Sequence, residues 1–170
     1  YMLWQNKLPL YNMRMQNLSA AVIRPQLPLV ASRVEKGRTG HDRVAATLNT
    51  SSHLTVPPAL PPEERAPDSI QFNLCGDWSD AQALAFQTEA KKRGVSVQVF
   101  GLSENNARAF WNWEFLGPES FGGTDLPQTR AMLMRACDVR LPTRLTEDEL
   151  DFIAAALVAA AETVRGRIAA

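Results

Sequence analysis

The chain has 170 residues, 45% hydrophobic and 21% charged, with Lys+Arg and Asp+Glu balanced at 18 each. That composition supports one ordinary domain with a buried core and excludes a disordered tail. Scattered basic residues exclude the concentrated footprint of a nucleic-acid or anionic-membrane binder, and neither a membrane span nor a basic-then-apolar leader is present, so small-molecule and protein partners in the cytoplasm are expected.

Residues 15–48 form the first predicted element, a helical region in which Met15, Leu18, Val22 and then Leu27, Val30 and Val34 return near the 3.6-residue period. Pro25 and Pro28 each remove a backbone donor and crowd the carbonyl four residues earlier, which predicts a kink or a break between two helices. Gly37 and Gly40 weaken the second piece. Residues 49–68 then read as an extended connector, because Pro57, Pro58, Pro61, Pro62 and Pro67 exclude both helix interior and sheet centre. Its apolar Leu54, Val56 and Leu60 predict that it lies along the protein surface.

A strand, helix, strand unit comes next. Ile70, Phe72 and Leu74 alternate with Gln71 and Asn73, Ser79 with Gln82 makes a capping box for a helix through Arg93, Gly94 ends it, and Val95, Val97 and Val99 alternate again. A crossover of that length favours parallel strands joined right-handedly. Phe110, Trp111, Trp113, Phe115 and Phe121 crowd the next stretch, for which core packing is the expectation. Asp125 ahead of Pro127 predicts a short helix through Arg135, and residues 137–141 a third strand. Thr146 and Glu149 form a second capping box, opening a helix whose Leu150, Ile153, Leu157, Val158, Ala161 and Val164 make one apolar stripe. Acidic Glu147, Asp148 and Glu149 at its start, with Arg165 and Arg167 at its end, complement the helix dipole.

The residues alone thus predict a small α/β layer of about three strands with helices packed on one face, behind a long proline-kinked helix. Such a layer carries no function by itself. Cys75 and Cys137 lack metal-ligand spacing and read as buried free thiols, while His41 and His53 read as surface histidines, so no metal site is expected. The carboxylate pairs Asp77/Asp80 and Glu63/Glu64 sit where capping and solvation explain them. No glycine-rich phosphate loop of the G-x-G-x-x-G or Walker type occurs.

One motif goes further. The run Tyr11, Asn12, Met13, Arg14, Met15, joined at once to an apolar helical pattern, resembles the Asn-x-Arg-Met signature that opens the domain-linking helix of the DegT/DnrJ/StrS-type sugar aminotransferases. The strand at residues 69–74, the helix closed by Lys91, Lys92, Arg93 and Gly94, and the Arg140-Leu141-Pro142 and Leu145-Thr146-Glu147-Asp148-Glu149-Leu150 ending succeed it in the family's order. Two features depart from the pattern: Pro9 and Leu10 stand where a glycine is common, and the aromatic stretch is not a common family feature.

The resemblance implies a carboxyl-terminal part of a homodimeric enzyme dependent on pyridoxal 5'-phosphate (PLP). Residues 1–14 are then a remnant of the large PLP-binding domain, 15–48 the linking helix, 49–68 the proline-rich connector and 69–170 the small carboxyl-terminal α/β domain. A chain that starts at Tyr1 agrees with such a part. The reaction implied moves an amino group from an amino acid, commonly glutamate, to a keto-sugar carried on a nucleotide. Asn12 corresponds to the asparagine that reaches the phosphate of the partner subunit's cofactor, and Arg14 offers a fork of donors beside it.

The Schiff-base lysine of the family lies upstream of the signature, and Lys7, Lys36, Lys91 and Lys92 are unsuited to that role, so no catalytic residue is assigned and this part alone is expected to be inactive. Two other readings remain: a PLP-dependent sugar dehydratase of the same fold, with histidine in place of the lysine, and a stand-alone α/β interaction module without cofactor.

Overall fold

The computed structural model describes residues 15–103, 106–116 and 126–166. The predicted long helix is present, and the prolines act on it as expected. Helix α1 (Asn17–Ile23) passes into a 3₁₀ segment over Arg24–Leu29 that contains both prolines, and α2 (Val30–Leu48) continues beyond it. The tighter i→i+3 pattern accommodates the donors that Pro25 and Pro28 lack. No residue of α1 is buried, whereas Val44 and Leu48 near the end of α2 are fully inaccessible.

The two glycines of α2 turn out to be packing positions. A Cβ on Gly37 would lie 2.5 Å from the Pro67 carbonyl oxygen, and one on Gly40 would lie 3.3 Å from Leu150 Cδ1. Their small size lets the connector and a later helix close on α2.

The connector is ordered against α2. Arg38 Nε donates to the Arg65 carbonyl at 2.6 Å, and Asn49 Oδ1 accepts from Val56 N at 2.8 Å. It also supplies a fourth strand, β1 (Leu54–Thr55), two residues pairing antiparallel with β2 (Ser69–Leu74). Leu54 and Val56 are buried, but Leu60 is 72% exposed, so that residue does not lie on the protein as expected.

Helix α3 (Asp80–Lys92) has the predicted capping box: Ser79 Oγ accepts from Gln82 N at 3.2 Å and Gln82 Oε1 from Ser79 N at 2.7 Å. Gly94 ends it at φ +87°, a left-handed conformation that a side chain would strain. In the strand beyond, Val95, Val97 and Val99 are all buried as the alternation requires, yet only β3 (Gln98–Val99) pairs.

A short helix α4 (Pro127–Leu133) leads to β4 (Ala136–Arg140), and α5 (Glu147–Gly166) closes the fold. The N-cap of α4 is Leu126 without a side-chain bond; Asp125, Arg167 and Phe121 lie outside the described residues.

The sheet order β1-β2-β4-β3 keeps the two strands of the expected crossover parallel but separates them. β4 pairs antiparallel with β2 on one side and with β3 on the other. β2 and β3 therefore run in the same direction but are not neighbours. Helix α3 spans a gap that the last strand fills, which no local spacing could reveal.

The core lies between the sheet and three helices. Ile70, Phe72, Leu74, Cys137 and Val139 from the sheet meet Val44 and Leu48 of α2, Phe86 and Ala90 of α3, and Leu150, Leu157 and Ala161 of α5. Phe86 stands edge-on to both Phe72 and Trp78, with ring centroids 6.2 and 6.0 Å apart. At about 25 cal/mol per Å² of apolar surface removed from water, burial on this scale is what holds the sheet to the helices.

Candidate functional site

The predicted cofactor contacts Asn12 and Arg14 lie outside the described residues. The helical arm immediately beyond them carries an informative surface. Met15, Leu18, Val22, Ile23, Leu27, Leu29 and Val30 are all between 42% and 76% exposed, an uncovered apolar face along α1 and the 3₁₀ segment. A helix of seven residues that buries nothing gains little from its own hydrogen bonds. Contiguous exposed apolar surface of this kind marks a contact with other polypeptide.

No described lysine is set up for covalent chemistry. Lys36, Lys91 and Lys92 are exposed on helices, and Lys92 lies 3.6 Å from Glu89. Neither cysteine is activated: burial raises the Cys137 thiol far above its ordinary range, and burial also raises that of Cys75. Both are free, Cys137 fully buried and Cys75 half-buried.

The paired carboxylates have structural partners. Asp80 Oδ1 accepts from Arg135 Nη2 at 2.8 Å, Glu63 accepts from Leu60 N and Arg65 Nε, and Glu64 lies 3.5 Å from Arg38. The carboxyl of Glu63 is held below its ordinary range, chiefly by the backbone donor of Leu60 and then by Arg65. Asp77 is engaged through its backbone, the carbonyl accepting from Arg165 Nη1 at 2.7 Å.

The histidines differ from expectation. His41 is only 7% exposed, packed where α2 meets the connector, with Nδ1 3.1 Å from Asp42 Oδ1. His53 is half-buried, edge-on to Trp78 at 6.5 Å. In sequence both stood in polar surroundings; tertiary contact with segments distant in the chain covers them. Among the described residues no three His, Cys, Asp or Glu side chains converge as metal ligands.

The aromatic stretch does not join the main core. Phe110 is buried but sits apart from the central cluster, against Trp111 at 5.1 Å, and Trp113 stacks on Phe115 at 5.7 Å. Guanidinium groups cover this satellite: Arg130 lies 4.1 Å from the Trp111 ring centroid and Arg108 4.6 Å from that of Phe100.

Three concavities stand out. One of about 450 Å³ lies between His41, the connector and Gln71. A second of about 410 Å³ is walled by Gly37, Gly40, Leu141, Leu145 and Leu150 and is mostly apolar. The third and largest, about 760 Å³, opens at the β3 end of the sheet beside Asp138. None brings a nucleophile and a base together among the described residues.

The chain can be placed by its whole pattern. A model of the DegT/DnrJ/EryC1/StrS aminotransferase family matches residues 2–158. The chain belongs to that family. As a DegT/DnrJ/EryC1/StrS family member it shares its fold with solved relatives at low identity. Spr1654 from Streptococcus pneumoniae, itself a proposed sugar aminotransferase, superposes in its apo form with a TM-score of 0.70 at 18% identity, over 96% of this chain and 39% of that one. Its PLP form gives 0.70 at 20% identity, over 92% and 38%. The aminotransferase TlmJ from Streptoalloteichus hindustanus gives 0.66 at 14% identity, over 96% and 41%. The DegT/DnrJ/EryC1/StrS member described here thus spans about two fifths of the length of the aminotransferases it resembles. Comparison with curated proteins gave no match. No helix among the described residues is long and apolar enough to cross a membrane.

Proposed function

We propose that these residues form the linking helix and small domain of a PLP-dependent aminotransferase that moves an amino group from an amino acid, with glutamate as donor, to a keto-sugar carried on a nucleotide. The family match over residues 2–158 carries this reading, and the sugar aminotransferases among the structural relatives support the substrate class.

The domain assignment keeps the same division. Residues 1–14 belong to the large domain, 15–48 link the two, 49–68 form the connector and 69–170 the small domain. The uncovered apolar face of α1 supports it, because a linking helix must bury that face against the rest of the enzyme or the partner subunit of a homodimer.

PLP, when bound, supplies the electron sink for moving nitrogen between substrates. The described residues do not offer it a covalent anchor, since Lys36, Lys91 and Lys92 all stand in solvent. In this reading the covalent lysine is supplied by residues beyond these 170, and this part alone is inactive. The contribution of this chain is to grip: the Asn12 carboxamide donates to phosphate oxygens across the dimer interface, and Arg14 adds a charged fork of donors.

The test is cofactor retention in the complete enzyme. Losing one hydrogen bond to a charged group costs about 1.5–3 kcal/mol, so Asn12→Ala is expected to raise the dissociation constant for PLP by roughly tenfold or more. Equilibrium dialysis against the visible absorbance of the bound cofactor reads it. Unchanged affinity removes the assignment.

A further inference from the structure

The helical arm and the apolar concavity on α2 are two halves of one contact. From Asn17 to Leu48 the backbone is helical throughout, α1 passing through the 3₁₀ segment into α2 with right-handed helical dihedrals at both junctions. Such a rod does not fold back on itself. The exposed Leu18, Val22 and Leu27 at one end therefore stay clear of the concavity of about 410 Å³ further along it, which Gly37 and Gly40 of α2 line together with Leu145 and Leu150. One chain thus carries an uncovered apolar ridge and an uncovered apolar cleft that it is unable to bring together alone. A two-fold interface requires that kind of self-complementary pair.

Charge follows the same division. Residues 15–34 contain Arg24 and Arg33 and no Asp or Glu, whereas the cleft has Glu35 and Glu147 on its rim. Glu147 is engaged by Arg43 at 2.9 Å. Arg24 and Glu35 are exposed, and neither makes an ion pair among the described residues.

Laying two rods antiparallel with Arg24 opposite the second copy's Glu35 fixes the rest of the register. At about 1.5 Å per residue in α-helix and 2.0 Å in 3₁₀, the two-fold crosses the rod near Leu29, itself 47% exposed. Val22 then falls opposite the second copy's Gly37, and Leu18 next to its Gly40. Lys36 falls opposite Ile23, and Arg33 opposite Pro25 and Gln26, so no like charges meet. A register chosen for charge alone sets the apolar side chains of the arm over the glycines of the cleft.

We propose that the occupant of the cleft is the α1 arm of a second copy of this chain, the two linking rods running antiparallel about a two-fold near Leu29 and each arm seating between α2 and α5 of the other copy. The inference rests on the homodimer of the reading above and narrows it to one contact; it does not depend on the cofactor grip.

The experiment uses the complete enzyme. A disulfide needs Cα atoms about 4.4–6.8 Å apart, a separation available only to residues beside the two-fold. Leu29→Cys is expected to give a covalent dimer on mild oxidation, while wild type and Leu84→Cys, exposed on α3, give none. Arg24→Glu and Glu35→Arg, each alone, are expected to raise the dimer dissociation constant roughly tenfold, because both symmetry-related pairs turn repulsive. The double exchange is expected to restore it. Both residues are exposed, so these variants leave the core intact. A dimer in which Leu29→Cys stays uncrosslinked, or in which the double exchange binds no better than the single ones, overturns the proposal. The homodimer reading then stands, with the arm covered by the rest of the enzyme. A monomer in sedimentation velocity overturns both. PLP retention is read separately, so neither result bears on Asn12.

Discussion

Gly37 shows how one missing atom sets the approach of two segments. In an exposed helix, Gly→Ala gains up to about 1 kcal/mol from propensity. Here the added Cβ would sit 2.5 Å from a backbone oxygen of Pro67, and backbone cannot swing aside as a side chain can. Overpacking of this kind costs about 1–3 kcal/mol. Gly37→Ala is therefore expected to lower stability by about 1–2 kcal/mol in a urea melt, the reverse of the propensity trend. An increase in stability would show that the connector gives way. Burial of His41 and Asp138 belongs to the same scale. His41 stands in a locally polar pattern and Asp138 at the outward position of an alternating strand, so neither burial was legible from neighbours. The outward direction of Asp138 was legible, from its place between Cys137 and Val139.

At the scale of elements, caps and dipoles account for what the sequence revealed. The Ser79/Gln82 box starts α3 where predicted, and Ser79→Ala is expected to cost about 1 kcal/mol by thermal melting, with little effect on the sheet. Helix α5 is pinned at its first turn in two ways. Thr146 N and Oγ1 donate to Glu149 Oε2 at 2.8 and 3.1 Å, and Arg43 of α2 forms a fork onto Asp151 with bonds of 2.6 and 2.8 Å. The backbone donor of Thr146 is the main cause holding the Glu149 carboxyl below its ordinary range, and the Arg43 bond does so for Asp151. A carboxyl whose folded pKa is depressed contributes stability above its unfolded pKa and loses it as pH falls through the folded one. The α2–α5 contact should accordingly weaken as pH falls from about 5 through 4 and below. The melting temperature is expected to drop over that window, with a shallower drop in Glu149→Gln and Asp151→Asn. Equal slopes in all three proteins would remove these groups from the account. Strand pairing was the part that local pattern could not reach. Val95, Val97 and Val99 alternate correctly, yet only the last sits in a ladder, because partnership with β4 is decided some forty residues later in the chain. β1 was hidden for a different reason: two residues carry no periodicity.

The whole molecule combines a closed core with an open helical arm. Most buried apolar residues from Val44 to Val164 form one cluster between sheet and helices, Phe110 belongs to a satellite beside it, and the α1 face lies outside both. These 170 residues by themselves are expected to self-associate through Leu18, Val22 and Leu27, the remedy open to such a surface in water. In sedimentation velocity the double substitution Leu18→Glu, Val22→Glu should shift the population toward monomer, and no shift would place the contact elsewhere.

Both margins of the sheet are two residues long, β1 at one side and β3 at the other. A rim that brief offers an incoming strand almost nothing to zip onto, which suppresses fibre-like growth by edge pairing.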